Sequence, residues 1–379
     1  MSHSSRDDAR RAGKRALFAV VALSGAAVVA VVIGIVVGNQ PEPGPSIEGE
    51  IDDGRLSEPT RLCTTDSTAP CRRSSSIERF MARDGHTIVS AEPVSAGAQG
   101  AIALALESSD GTRLRVKWRT QVSAELTNEP IGELAAHRLQ ALFLDEPDYV
   151  VPPAVAHCFA LQPYRAAIDP DAEPLEEDGC VLGYLSYWLV GSTSLGEGRE
   201  AGIFPTPPGG PAAWDTNLFD AERFERDPAY RRAFALANLV LFLTANGDAH
   251  AGQLMFYEQP LHLFVVDSSM AFRVPANPRM GLREEDLGAD LLAPAIPARV
   301  AERIRGLTPA DVQRLLVLDE LTLPSGARVE PSEAFETDQH VRRSGDRLQV
   351  GLTSSEIGLL WNRVTELQRR LEDGDLGTF

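Results

Sequence analysis

Apolar positions change their spacing several times along this chain, and each change marks a predicted element. Residues 16–38, ALFAVVALSGAAVVAVVIGIVVG, contain no charged side chain. At about 1.5 Å per helical residue, that run is long enough for a hydrocarbon core of about 30 Å. From Ile77 the pattern becomes that of a globular domain. Thr87–Ser90 and Ala101–Glu107 read as strands around SAGAQG, Ser95–Gly100. Arg113–Arg119, RLRVKWR, alternates, with Lys117 opposite Val116 and Trp118 and on the side of Arg113, Arg115 and Arg119. Taken alone, that side reads as an exposed basic strand face. Asn128 suits a helix cap with Pro130 in the first turn, and Ile131, Leu134, Ala135, Leu139, Leu142 and Phe143 continue at helical spacing.

Val181–Leu189 reads as an apolar strand, and residues 196–217 as a Gly- and Pro-rich loop. Arg223–Leu243 predicts one helix, apolar in its second half. Leu254–Tyr257 and Leu261–Val266, broken by Glu258-Gln259-Pro260, predict a buried β-hairpin. After Arg273 the rest reads as helical: IPARVAERIRGL, TPADVQRLLVL and SSEIGLLWNRVTELQRRLED, with Thr308 and Ser354 or Ser355 as caps.

Charge sharpens the reading of the apolar run. Arg6, Arg10, Arg11, Lys14 and Arg15 precede it, and Glu42, Glu48, Glu50, Asp52 and Asp53 follow. The positive-inside bias predicts a cytoplasmic tail 1–15, a transmembrane helix 16–38 and the remainder periplasmic or extracellular. A cleaved signal peptide competes, but the run exceeds the usual apolar core of about 7–15 residues. Residues 39–75 suit a flexible linker. A net charge of −18 argues against nucleic acid as a partner. Four cysteines fit two disulfides, and Cys63–Cys71 with Cys158–Cys180 is the shortest-loop choice among three pairings. Free buried thiols are the competing reading.

The chemistry concentrates in Thr244–Arg273, TANGDAHAGQLMFYEQPLHLFVVDSSMAFR. Asp248, His250 and Gln253 share one polar loop, and a hairpin would bring Asp267 to the same cleft. Two carboxylates in one cleft oppose each other's ionisation unless a cation neutralises them. A divalent metal with a phosphate ligand is a common solution. Lys117 on a strand and Glu133 on the next helix have the order of the ion pair that orients nucleotide phosphates, with Glu129 as the alternative acid.

D-x-H-x-x-Q, a hairpin and an Asp after an apolar strand together resemble the catalytic and metal-binding segment of the phosphatidylinositol 3-/4-kinase-like, or atypical kinase, superfamily. There the pattern is D-R-H-x-x-N followed by I-D-F-G. Secreted atypical kinases of the Golgi type use a related segment, and aminoglycoside and choline kinases share H-G-D-x-H-x-x-N. NEPIGELAAHRLQALF followed by VVPPAVAHC is also similar to an N-lobe helix of bacterial phosphatidylinositol-kinase-like proteins.

The resemblance implies an α+β, two-lobed protein-kinase-like fold over residues 76–379, with an N-lobe of about 76–190 and a helical C-lobe of about 191–379. It implies a bacterial, membrane-anchored kinase that takes ATP with Mg²⁺ or Mn²⁺ and phosphorylates an unidentified hydroxyl acceptor. Asp248 would be the catalytic base and His250 a support for its loop. Asp267 and Gln253 would hold the metal. Lys117, fixed by Glu133, would hold phosphates, with Gly97 and Gly100 letting backbone N–H groups approach them.

Three departures stand out: Gln253 where Asn is expected, Ala249 for Arg, and Ser268-Ser269 for Phe-Gly. With an ATP-poor compartment, they keep open a pseudokinase that binds nucleotide or serves as a scaffold.

Overall fold

Leu114, Val116 and Trp118 are buried as the alternation of RLRVKWRT requires, and their strand is central to a five-stranded sheet. The computed structural model describes residues 61–65, 71–94, 100–121, 129–175, 180–204, 219–246, 252–272, 291, 293–323 and 325–379.

The described elements begin with β1 (Arg61–Leu62), β2 (Cys71–Arg72) and α1 (Ser74–Met81). The large sheet and its helices follow: β3 (Thr87–Pro93), β4 (Ile102–Glu107), β5 (Arg113–Thr120), α2 (Ile131–Gln140), β6 (Ala154–Ala160), α3 (Leu161–Ala167) and β7 (Cys180–Tyr187). Next are β8 (Thr193–Ser194), α4 (Leu195–Glu200), α5 (Ala221–Arg226), α6 (Pro228–Thr244), β9 (Leu254–Tyr257) and β10 (His262–Val265). The C-terminal part holds β11 (Ala295–Ile296), α7 (Ala298–Gly306), α8 (Pro309–Gln313), β12 (Asp319–Thr322) and β13 (Arg328–Val329). It ends with β14 (Val341–Ser344), β15 (Arg347–Val350), α9 (Ser354–Asp373) and β16 (Gly377–Thr378).

The main sheet is antiparallel, in the order β3-β4-β5-β7-β6. Val116 and Trp118 belong to one core with Ile77, Phe80 and Met81 of α1 and with Tyr257 and Phe264 of the hairpin. Leu182 and Tyr184 of β7 belong instead to the core shared with α2 and α6. The fold is α+β, with a hairpin at 254–265 as the apolar pattern predicts.

Four expectations need correction. The helix expected over Arg223–Leu243 is two helices, because Pro228 pushes Asp227 out of the helical region. Asp227 has φ −110° and ψ 100°, and its carboxylate accepts from the N–H groups of Ala229 and Tyr230 at 3.0 Å.

The C-terminal region is not all helical. A four-stranded antiparallel sheet, β13-β12-β15-β14, lies between α8 and α9. Its signal is weak in the sequence because Asp319, Glu320 and Gln349 are fully buried, so polarity there does not mark the surface. Glu320 is satisfied by Ser332, Gln349 and Arg347, as a buried carboxylate must be.

Helix α9 is capped by Thr353, not Ser354 or Ser355, in a capping box with Glu356. Thr308 does cap α8, with Asp311 accepting from its N–H and hydroxyl. At the N-terminal side of the domain, residues 61–65 and 71–75 are packed, not a free linker. Leu62 N–H donates to the Tyr257 hydroxyl at 3.1 Å and the Thr65 hydroxyl to Asp148 at 2.6 Å.

Cys63–Cys71 and Cys158–Cys180 are both disulfides, and the second joins β6 to β7. Among the described residues no helix is long and apolar enough to cross a membrane, and the span 16–38 lies outside them.

Candidate active site

Strands β9 and β10 pair from His262 with Tyr257 to Val265 with Leu254. Beyond the strand ends, Val266 N–H donates to the Gln253 carbonyl at 2.9 Å. The open end of the hairpin therefore sets Gln253, which is buried, beside the residue preceding Asp267. Asp248 and His250, in the loop between α6 and β9, lie outside the described residues, as does Gly97.

At Asp267 the chain leaves the strand in the left-handed region, with φ 57°. Asp tolerates this conformation better than most residues because its short polar side chain bonds locally. Here the Ser269 hydroxyl donates to Asp267 Oδ1 at 2.8 Å. The segment after Asp267 lies against α2: Glu129 N–H donates to the Ser269 carbonyl at 3.1 Å. Gly132 permits that approach, since a Cβ there would stand 2.3 Å from the Ser268 carbonyl oxygen.

This packing brings Glu133 to the strand that carries Lys117. Lys117 Nζ is 2.6 Å from Glu133 Oε1 and 3.4 Å from Asp267 Oδ1. The Lys117 and Glu133 side chains are only 18% and 7% exposed, whereas Asp267 is 36% exposed and opens towards solvent. Ser186, the cross-strand partner of Lys117 on β7, donates its hydroxyl to Glu133 Oε2. Arg119, two residues along the same strand, is 3.5 Å from Asp267 Oδ1 and 3.9 Å from Glu133 Oε1.

Two cations thus face two carboxylates. Burial opposes the charge on Lys117, but Glu133 and Asp267 outweigh it and raise its pKa. Burial also opposes ionisation of Asp267, yet Lys117, Ser269 and Arg119 hold its pKa below the ordinary value. Lys117 and Asp267 are therefore both charged at neutral pH.

The structure brings Lys117, Glu133 and Asp267 together, with Gln253 on the adjoining backbone. Glu129 does not meet Lys117; it pairs with His340. Gly100 has φ 71°, and a Cβ there would meet nothing within 4 Å. The residues around Lys117 do not form an exposed basic face throughout, because Lys117 and Arg119 both turn inward. Arg119, Ser186, Ser269 and Gly132 are additions to the site. Arg119 shares the alternation of Lys117 and was legible on that ground; the others depend on strand register and helix approach.

No family model matches the chain, and no curated protein does. Solved structures similar to it include "The structure of hydra Fam20 with sugar", at 14% identity and TM-score 0.49, covering 82% of this chain and 92% of that one. A second is "Crystal structure of the golgi casein kinase", at 10% identity and TM-score 0.47, covering 80% and 77%. A third is the Golgi casein kinase with Mn/ADP bound, at 9% identity and TM-score 0.44, covering 78% and 76%. All three TM-scores lie below 0.5, so the functional assignment rests on the geometry of the site.

Proposed function

We propose that this chain is an atypical kinase that holds nucleotide phosphates and a divalent metal between β5, α2 and the β9–β10 hairpin. It would pass the terminal phosphoryl group to a hydroxyl acceptor. One observation carries this reading: Lys117 Nζ stands 2.6 Å from a buried glutamate on the neighbouring helix and 3.4 Å from the carboxylate that ends the hairpin. Phosphoryl transfer depends mainly on positioning and charge stabilisation, and a Lys–Glu pair beside a metal-holding Asp is a recurring device for it.

The donor set fits a hard cation. Asp267 is ionised and partly exposed, and its contacts among the described residues all use Oδ1, which leaves Oδ2 for a metal. Gln253 would add an amide oxygen. Mg²⁺ or Mn²⁺ bound there would neutralise charge that develops on the phosphates. Lys117 would bind phosphate oxygens while Glu133 and Ser186 keep its ammonium in place. Asp248 would accept the acceptor hydroxyl's proton as the new O–P bond forms and the bond to the leaving ADP oxygen breaks.

The D-x-H-x-x-Q segment supports a relation to phosphatidylinositol 3-/4-kinase-like enzymes. The two disulfides support an oxidising compartment, reached through an anchor at residues 16–38. Gln253, one methylene longer than the expected Asn, favours a second reading, a pseudokinase that binds nucleotide without turnover.

Titration calorimetry of the full chain with Mn·ADP tests the site. Lys117→Ala and Asp267→Ala should each weaken binding by about tenfold or more, as loss of a charge-assisted contact implies. Equal affinity for the parent and both variants would remove the nucleotide from this site.

A further inference from the structure

Helix α2 brings Glu133 to Lys117, and charged groups from the C-terminal sheet and α9 grip it at both ends. Glu129, just before the helix, pairs with His340 Nδ1. His340 Nε2 meets Glu356 in the first turn of α9 at 2.8 Å. Glu356 is fixed in turn, because it accepts from the N–H and hydroxyl of Thr353 at 2.8 and 2.9 Å. Near the other end, Arg138 reaches Asp319 of β12 at 3.1 Å and Glu78 of α1 at 2.7 Å. Arg328 of β13 closes a ring onto the same two carboxylates. Asp319 is fully buried, and its second oxygen accepts from Ala156 N–H of β6 at 2.8 Å.

Among the described residues, neither cluster pairs with Lys117 or Asp267. Both instead fix the position of a ten-residue helix. The grip at Glu129 matters most to the site, because the same residue donates its N–H to the Ser269 carbonyl beside Asp267. Without a cation between them, Glu129 and Glu356 would be two partly buried carboxylates repelling across the α2–α9 junction. Breaking a buried pair by removing one partner leaves an uncompensated charge.

We propose that the C-terminal sheet and α9 form a built-in clamp that keeps Glu133 docked on Lys117, with His340 as a positioning residue acting through Glu129. The proposal rests on reading Lys117 and Glu133 as a nucleotide site. It makes the ion pair independent of any added phosphate group or partner protein, since the elements that hold α2 belong to the same chain.

Hydrogen exchange of the full chain tests the clamp, with Mn·ADP calorimetry as a second readout. The variants are His340→Ala, His340→Lys, Glu129→Gln and Arg347→Ala. Arg347→Ala removes an ion pair to Glu320, 2.5 Å in the same sheet, and so reports general loosening of that sheet. His340→Ala and Glu129→Gln should speed exchange over Ile131–Gln140 by about tenfold relative to Arg347→Ala, the effect of losing a charge-assisted hydrogen bond. Both should weaken Mn·ADP binding, and His340→Lys, which keeps a cation between the carboxylates, should restore protection and affinity. Unchanged α2 exchange in His340→Ala and Glu129→Gln, or an equal rise in Arg347→Ala, overturns the clamp. A parent chain that binds no Mn·ADP refutes the nucleotide reading, and the exchange measurement still decides whether His340 holds α2.

Discussion

Gly132 shows how much of this site depends on a missing atom. A Cβ there would come within 2.3 Å of the backbone oxygen of Ser268, which cannot swing away as a side chain would. Gly132→Ala should therefore displace α2 from the segment after Asp267. Overpacking of this kind costs about 1–3 kcal/mol, more than alanine's helix preference over glycine returns. Denaturant unfolding should show that loss, together with weaker Mn·ADP binding. A variant as stable as the parent, with parental affinity, would mean that the close approach does not position Glu133. The main residues of the site were legible because their types and order are restrictive: Lys on a strand, Glu on the next helix, Asp after the hairpin. Ser186 and Ser269 were not, because their roles come from cross-strand register and from a left-handed turn at Asp267.

Among the elements, α2 and α9 meet through a histidine whose charge depends on its neighbours. Burial would lower the His340 pKa, but the Glu129 and Glu356 carboxylates outweigh it and push it up to about 10. A pKa raised on folding contributes stability that is fully present below the unfolded value, about 6.5, and is lost as pH rises through the folded value. The stability difference between the parent and His340→Ala should thus be largest near pH 6 and shrink towards about pH 10. Urea unfolding across that range measures it, and a gap that widens with pH would contradict the charged imidazole. The elements themselves divide by legibility for a physical reason. Strand β5 buries Leu114, Val116 and Trp118 in step with its period, and the hairpin strands β9 and β10 are apolar runs buried nearly throughout, so the pattern reports them. Strands β12 and β15 bury Asp319, Glu320 and Gln349 against arginines and serine, which inverts the usual relation of polarity to exposure. The break between α5 and α6 was available from Asp227-Pro228, a cap followed by a residue without an N–H.

Across the whole domain, the parts that assemble the site are far apart in sequence and are tied by few, buried, charged contacts. Lys117 and Asp267 are 150 positions apart, and Arg138 reaches Asp319 across 181. The N-terminal segment adds a further tie: Thr65 and Arg232 of α6 both bond Asp148, with the Cys63–Cys71 disulfide beside them. Such an arrangement suits a site whose charges must be positioned before a substrate arrives. Whether these charges serve phosphoryl transfer is read by following labelled γ-phosphate in the full chain with Mn·ATP, comparing the parent with Asp248→Asn. Metal-dependent release or self-transfer of label is expected from the parent. That turnover should fall by about a hundredfold or more in Asp248→Asn, as removal of a general base implies, with Mn·ADP affinity retained. Equal turnover in parent and variant would contradict Asp248 as the base, and binding without any turnover in the parent would show a pseudokinase in place of an enzyme.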